Sequence, residues 1–137
     1  MISRRIFSSC GLCAAMGLIA MPVDAQAQAA AGGVARRIVN REDLPGGVYE
    51  TVQAVATVEP GALVVRHTHP GIESSFILEG GGTLAVKGRD DAAIEAGSSF
   101  MVPPETPHLL QNGGKLTRIA STYVVEKGKP LATPTPE

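Results

Sequence analysis

The chain has 137 residues, 44% of them hydrophobic and 18% charged, which suits one packed domain and argues against wholesale disorder. A formal net charge of -1 gives no general attraction to nucleic acid, and no basic stripe interleaved with aromatics runs along the sequence. With 16 glycines and 10 prolines the chain must turn often, and the short valine- and isoleucine-containing runs between the turns point to strands.

Residues 1–25 read as an export segment. Arg4 and Arg5 give a positive start, Gly11 to Met21 is an uncharged apolar run, and Val23-Asp24-Ala25 offers small residues for cleavage, a cut after Ala27 being the alternative. The apolar run is well short of the roughly 20 residues a spanning helix needs. The expected product is periplasmic or secreted, with no stable membrane span after cleavage. Ser3-Arg4-Arg5-Ile6-Phe7 resembles the twin-arginine signal, an ordinary basic start being the other reading. Both cysteines, Cys10 and Cys13, fall inside this segment, so the exported domain has neither a disulfide nor a nucleophilic thiol.

Residues 26–43 read as a flexible lead-in, poor in residues that can be buried up to Gly33, followed by an edge strand at Ala35 to Asn40. Leu44-Pro45-Gly46-Gly47 is a turn. Val48 to Val58 is a long strand with Val52, Ala54, Ala56 and Val58 on one face and Val55 and Thr57 on the other, a pattern that predicts burial between layers. Glu59-Pro60-Gly61 turns into a strand ending at His69, Ser74 to Leu78 returns, and further strands are expected at Thr83 to Val86, Ala92 to Glu95, Ser98 to Val102, His108 to Gln111 and Leu116 to Val125. Residues 132–137, with Pro134 and Pro136, read as a disordered tail. No segment after the leader has sustained helical periodicity, so the fold class is all-β, with eight or nine short strands that need closure or stacking to hide their edges.

The chemistry concentrates between Gly61 and Gly80. Alternate residues of a strand face the same way, so His67 and His69 project from one side, and Glu73 follows the Pro70-Gly71 turn within reach of both. Two imidazoles and a carboxylate suit a borderline divalent transition metal better than calcium, which prefers oxygen, or a structural zinc, which usually recruits cysteine. By the same parity Val65, Ser75, Ile77 and Leu110 line a mainly apolar pocket beside the ligands. Phe76 and Phe100 are expected in the core, and Asp90 and Asp91 in a solvated turn.

These residues carry a resemblance to the small single-domain bacterial cupins. Gly61, His67, His69, Glu73 and Gly80 meet every spacing of the family's first motif, and Gly97, Pro103, His108 and Asn112 meet the second, with Glu105 standing where the family has glycine. The resemblance extends over residues 44–131 and implies a double-stranded β-helix, a jelly-roll-like barrel. It also implies a ligand set of His67, His69, Glu73 and His108 around one divalent metal: iron, manganese, nickel, copper or zinc. Three imidazoles and one carboxylate leave coordination positions open for catalysis.

Three functions stay open. The first is a dioxygenase-like oxidoreductase acting on a small apolar, aromatic or enol compound, with Glu73 as general base. The second is a non-enzymatic module that binds a metal or small molecule, and the third is an isomerase or decarboxylase using the metal without oxygen. The resemblance further implies a homodimer.

Overall fold

Alternation of buried and exposed residues governs the described part of the chain, residues 27–136 of a computed structural model. The expected export segment, Cys10 and Cys13 included, lies outside the described residues. Eleven strands follow in order: β1 (Ala27–Ala31), β2 (Val34–Asp43), β3 (Tyr49–Val58), β4 (Leu63–Thr68), β5 (Gly71–Glu79), β6 (Gly81–Val86), β7 (Ala92–Glu95), β8 (Ser99–Val102), β9 (His108–Asn112), β10 (Thr117–Glu126) and β11 (Thr133–Pro134). They form a six-stranded sheet in the order β1-β2-β3-β10-β5-β8 and a five-stranded sheet in the order β11-β4-β9-β6-β7. Every pairing is antiparallel. This is the expected all-β, jelly-roll-like architecture, and among the described residues no helix is long and apolar enough to cross a membrane.

The two ends of the domain depart from expectation. In place of a flexible lead-in, Ala27–Ala31 pair with β2. The hairpin is possible because Gly32 and Gly33 both adopt positive φ, 64° and 80°, the backbone a two-residue turn between right-twisted strands requires. At the other end Thr133 and Pro134, assigned by their composition to a disordered tail, add to the edge of β4 opposite Thr68 and His67, and Thr135 N donates to Arg66 O at 3.0 Å. Proline is tolerated there because an edge strand need not donate on its open side.

Apolar side chains pack in two groups. Val58, Ile77, Leu84, Val86, Ile94, Val102, Leu110 and Ile119 form the larger, and Val52, Ala54, Tyr123 and Val125 the smaller. In the pairing of β10 with β5, Ile119 lies opposite Ile77, Ser121 opposite Ser75 and Tyr123 opposite Glu73. A short polar layer therefore separates the two apolar groups at mid-strand. Phe76 is not a core residue: its neighbours Ser75 and Ile77 face inward, which turns Phe76 to the outer face of the six-stranded sheet, 47% exposed. Phe100 packs against the larger group.

Candidate metal centre

The ligand strand keeps its histidines on the inner side by breaking its own period. The pairing of β4 with β9 slips between Val64 and His67, so Val64 lies opposite Leu110 and His67 opposite His108. Such a bulge re-aims the side chains that follow it. It turns Val65 outward, 58% exposed, so that its side chain lines the outer side of the site beside His67 rather than the space between the two sheets. Val65 also contributes its carbonyl, which accepts from His67 Nδ1 at 2.8 Å.

His67, His69 and His108 enter from the five-stranded sheet or its end, and Glu73 enters from β5 of the other. All four are buried, and each offers one ligand atom within 4.8 Å of the other three. Each ring is oriented by a backbone carbonyl: His67 Nδ1 by Val65, His69 Nδ1 by Leu131 at 2.5 Å and His108 Nδ1 by Thr106 at 3.0 Å. A neutral ring that donates from Nδ1 has no hydrogen on Nε2, so three lone pairs point to one place. His67 Nε2 and His69 Nε2 stand 3.2 Å apart. Glu73 Oε2 lies 3.0 Å from Nε2 of both His69 and His108, yet it has no hydrogen-bond partner of proper geometry.

Unprotonated donors crowded together in this way repel one another until a cation sits among them. Metal–ligand bonds of about 2.1 Å at right angles hold adjacent ligand atoms about 3 Å apart, which matches the three contacts of 3.0, 3.0 and 3.2 Å within a set that spans 4.8 Å at most. The four residues therefore fit a divalent transition metal.

The carboxylate is set as carefully as the rings. Ser75 Oγ donates to Glu73 Oε1 at 2.6 Å and lies 2.7 Å from Ser121 Oγ, which leaves Oε2 to face the imidazoles. Burial acts to raise the carboxyl, but the imidazoles of His108 and His69 and the hydroxyl of Ser75 outweigh it and hold Glu73 well below the usual carboxylate range. Tyr123, its ring centroid 4.7 Å from that of His69, is pushed up to about 12 by burial and then by the charge of Glu73. It stays a phenol at any working pH, able to donate to an oxyanion.

The other expected pocket residues separate. Ser75 touches the ligand carboxylate, Leu110 lines the inner cavity, and Ile77, with no exposed surface, is core rather than pocket wall. Sequence reasoning did not single out Ser121, Tyr123 or Leu131 for the site, because each arrives by long-range pairing. Asn112 touches no ligand. Glu105 adopts φ 53°, the left-handed backbone that glycine takes more readily, at a cost of roughly 1–2 kcal/mol. The turn is kept, and Glu105 N donates to His69 O at 2.9 Å.

Two spaces adjoin the centre. An inner cavity of about 40 Å³ is lined by His67, Glu73, His108, Tyr123 and apolar side chains. An outer groove of about 680 Å³ runs between β2, β4 and the C-terminal segment, and shares Val34, Arg36, Val64 and His67 with the inner cavity.

Acid sensitivity of the metal-free protein follows. Burial first, then the charges of His108 and His69, lower His67 to about 4 from 6.5, against the pull of the Val65 carbonyl and Glu73. Between those values the unfolded chain binds a proton that the folded chain refuses, so stability falls as pH drops through the window. The loss approaches about 3 kcal/mol at 1.36 kcal/mol per pH unit, and Glu73 adds to it below its unfolded value. Denaturant midpoints of metal-free protein measured between pH 7 and 4 check this; a flat profile refutes it.

Comparison with known proteins agrees with this fold. The family described as "Cupin domain" matches residues 54–129. No curated protein matches the chain by sequence. Among solved structures, an RmlC-like cupin from Shewanella frigidimarina is similar at TM-score 0.60 and 20% identity over 82% of this chain and 94% of that one. A cupin-2 domain from Rhodospirillum rubrum is similar at TM-score 0.59 and 18% identity, over 77% and 67%. The DMSP lyase DddQ from Ruegeria pomeroyi is similar at TM-score 0.57 and 19% identity over 62% of this chain, which spans only 43% of the lyase. At these identities the likeness is one of fold.

Proposed function

Because the chain belongs to the Cupin domain family, we propose that it is an exported, metal-dependent oxidoreductase of dioxygenase-like character, acting on a small apolar, aromatic or enol compound. The observation that carries the reading is the convergence of three imidazole nitrogens and one carboxylate oxygen in a buried site beside a cavity. Export rests on the composition of residues 1–25.

A bound divalent transition metal would supply Lewis acidity at a substrate oxygen and, as iron or manganese, a route to dioxygen. His67, His69, Glu73 and His108 are the residues to hold it. The inner cavity admits only a few atoms, so the body of an organic substrate occupies the outer groove and presents its reacting oxygen inward. Glu73 is the proton acceptor: Ser75 holds Oε1, and Oε2, once released from its place among the ligand atoms, takes the proton of an enol or phenol hydroxyl. Tyr123, still protonated, donates to the oxygen that gains charge.

Oxygen consumption by iron- or manganese-loaded protein over a panel of phenols and enols tests this. Turnover with oxygen uptake supports the reading, and product without uptake replaces it with an isomerase, decarboxylase or lyase. Silence in both assays from a protein that retains its metal leaves the binding module.

The reading includes a homodimer. Ile72, Phe76, Met101 and Val124 are exposed together on the outer face of β5, β8 and β10, the kind of apolar patch that marks an interface. The wild-type chain is expected to pair and Phe76→Glu to be monomeric by light scattering; a monomeric wild type removes the proposal.

A further inference from the structure

On β2, Val34, Arg36 and Ile38 fall on one face. Val34 packs against the larger apolar group and Ile38 against the smaller, so Arg36 is directed inward between them. Its cross-strand partner is Ala56, whose single methyl leaves room for the long side chain. The guanidinium carbon stands 6.0 Å from the ring centroid of Tyr123, and that same ring adjoins His69. Arg36 lines both the inner cavity and the outer groove. It has no carboxylate partner in any ion pair among the described residues.

A charge placed at an apolar position, partly stripped of water and without a counter-ion, is costly unless something else compensates it. The contact with the Tyr123 ring, 6.0 Å to its centroid and so at the outer limit for a cation over an aromatic face, compensates only in small part. Among the described residues the arginine side chains that donate hydrogen bonds are Arg41 and Arg89, not Arg36, and a planar fork matches a carboxylate with two parallel hydrogen bonds. Apart from His67 the rest of the groove is apolar, with Leu63, Val64, Leu131 and Pro134 among its walls, and its volume lies in the range that holds a ring-sized molecule.

We propose that Arg36 is an anion-binding residue of this pocket, taking the carboxylate of a small organic monoacid whose apolar body lies in the outer groove. The identification of that acid as a substrate rests on the metal-dependent reading above; the binding of its carboxylate by Arg36 does not.

The test is calorimetric binding of benzoate and its neutral counterpart benzamide to the full-length chain, both zinc-loaded and metal-free. Expected is at least a tenfold preference for benzoate in both forms. That preference disappears in Arg36→Gln and in Arg36→Met, which keeps the apolar stem, while both variants still bind zinc and melt near the wild type. Arg36→Lys keeps part of it.

An acid preference that persists in Arg36→Gln and Arg36→Met, or that appears only in the zinc-loaded form, puts the carboxylate on the metal and overturns the proposal. So does an absence of preference, or of any binding, in the wild type. Failure of the metal reading is separable, because a wild-type protein that binds no zinc but still prefers benzoate over benzamide loses the centre and keeps the anion site.

Discussion

Replacing His108 with alanine is expected to lower metal affinity by more than 100-fold while leaving the metal-free fold intact. His67, His69 and Glu73 come from one short stretch of chain, the end of β4, the link after it and the start of β5, and His108 comes alone from β9. Without it Oε2 of Glu73 keeps one imidazole at 3.0 Å instead of two, and a three-ligand remnant must fill its place with water. Losing a residue that only orients a ligand typically costs about 10–100-fold, and losing the ligand itself costs more. The metal-free protein should tolerate the change, because one of the crowded lone pairs goes with the ring. Thermal melts give the clearest comparison. Metal at 100 times its dissociation constant stabilises the wild type by about 2.7 kcal/mol, and the variant at the same metal concentration should show almost none of this shift. A variant that still retains about one metal per chain through dialysis, measured by elemental analysis, would show that His108 is no ligand.

The strands were legible because glycine and proline mark where they stop. Leu44 to Gly47, Glu59 to Gly61 and Pro103 to Pro107 lie outside strands as expected, and the inward face of β3 follows the alternation of Val52, Ala54, Ala56 and Val58. His67 and His69 were legible for the same local reason, and His108 only through the spacing of the second motif. Val65 lines the outer groove rather than the inner cavity, and nothing in Leu63 to Thr68 marks the bulge that puts it there; the slip is a property of how β4 meets β9. Phe76 was misplaced because its size was weighed above its parity between Ser75 and Ile77. The partners of the site were the least visible. Leu131 reaches His69 across 62 residues, and Tyr123 faces Glu73 only because β10 pairs with β5 in that register. Arg36 did carry a local signal, an arginine at an inward position between Val34 and Ile38, and its meaning depends on the cavity it enters.

Asn112 matches the second motif, and a change there should act on stability rather than on metal. Its Nδ2 donates to Val58 O at 3.0 Å, Glu59 O at 2.7 Å and Lys115 O at 3.0 Å. Its Oδ1 accepts from Thr117 Oγ1 at 2.6 Å, and that hydroxyl in turn accepts from Gly81 N at 2.7 Å. One buried amide therefore joins the end of β3, the start of β6 and the turn into β10. Asn112→Ala leaves several of these groups without partners at once, and since each buried polar group left unsatisfied costs about 1–3 kcal/mol, the variant should lose about 3 kcal/mol or more from a total that is typically about 5–15 kcal/mol. Asn112→Asp should fare worse, because a carboxylate cannot donate to three carbonyls and is repelled by them. Both variants, where folded, should still bind the metal, because none of the four ligand atoms depends on the amide. Urea midpoints of the metal-free proteins, set beside metal content at a temperature where each is folded, decide the matter: an unchanged midpoint with lost metal would move Asn112 from scaffold to site.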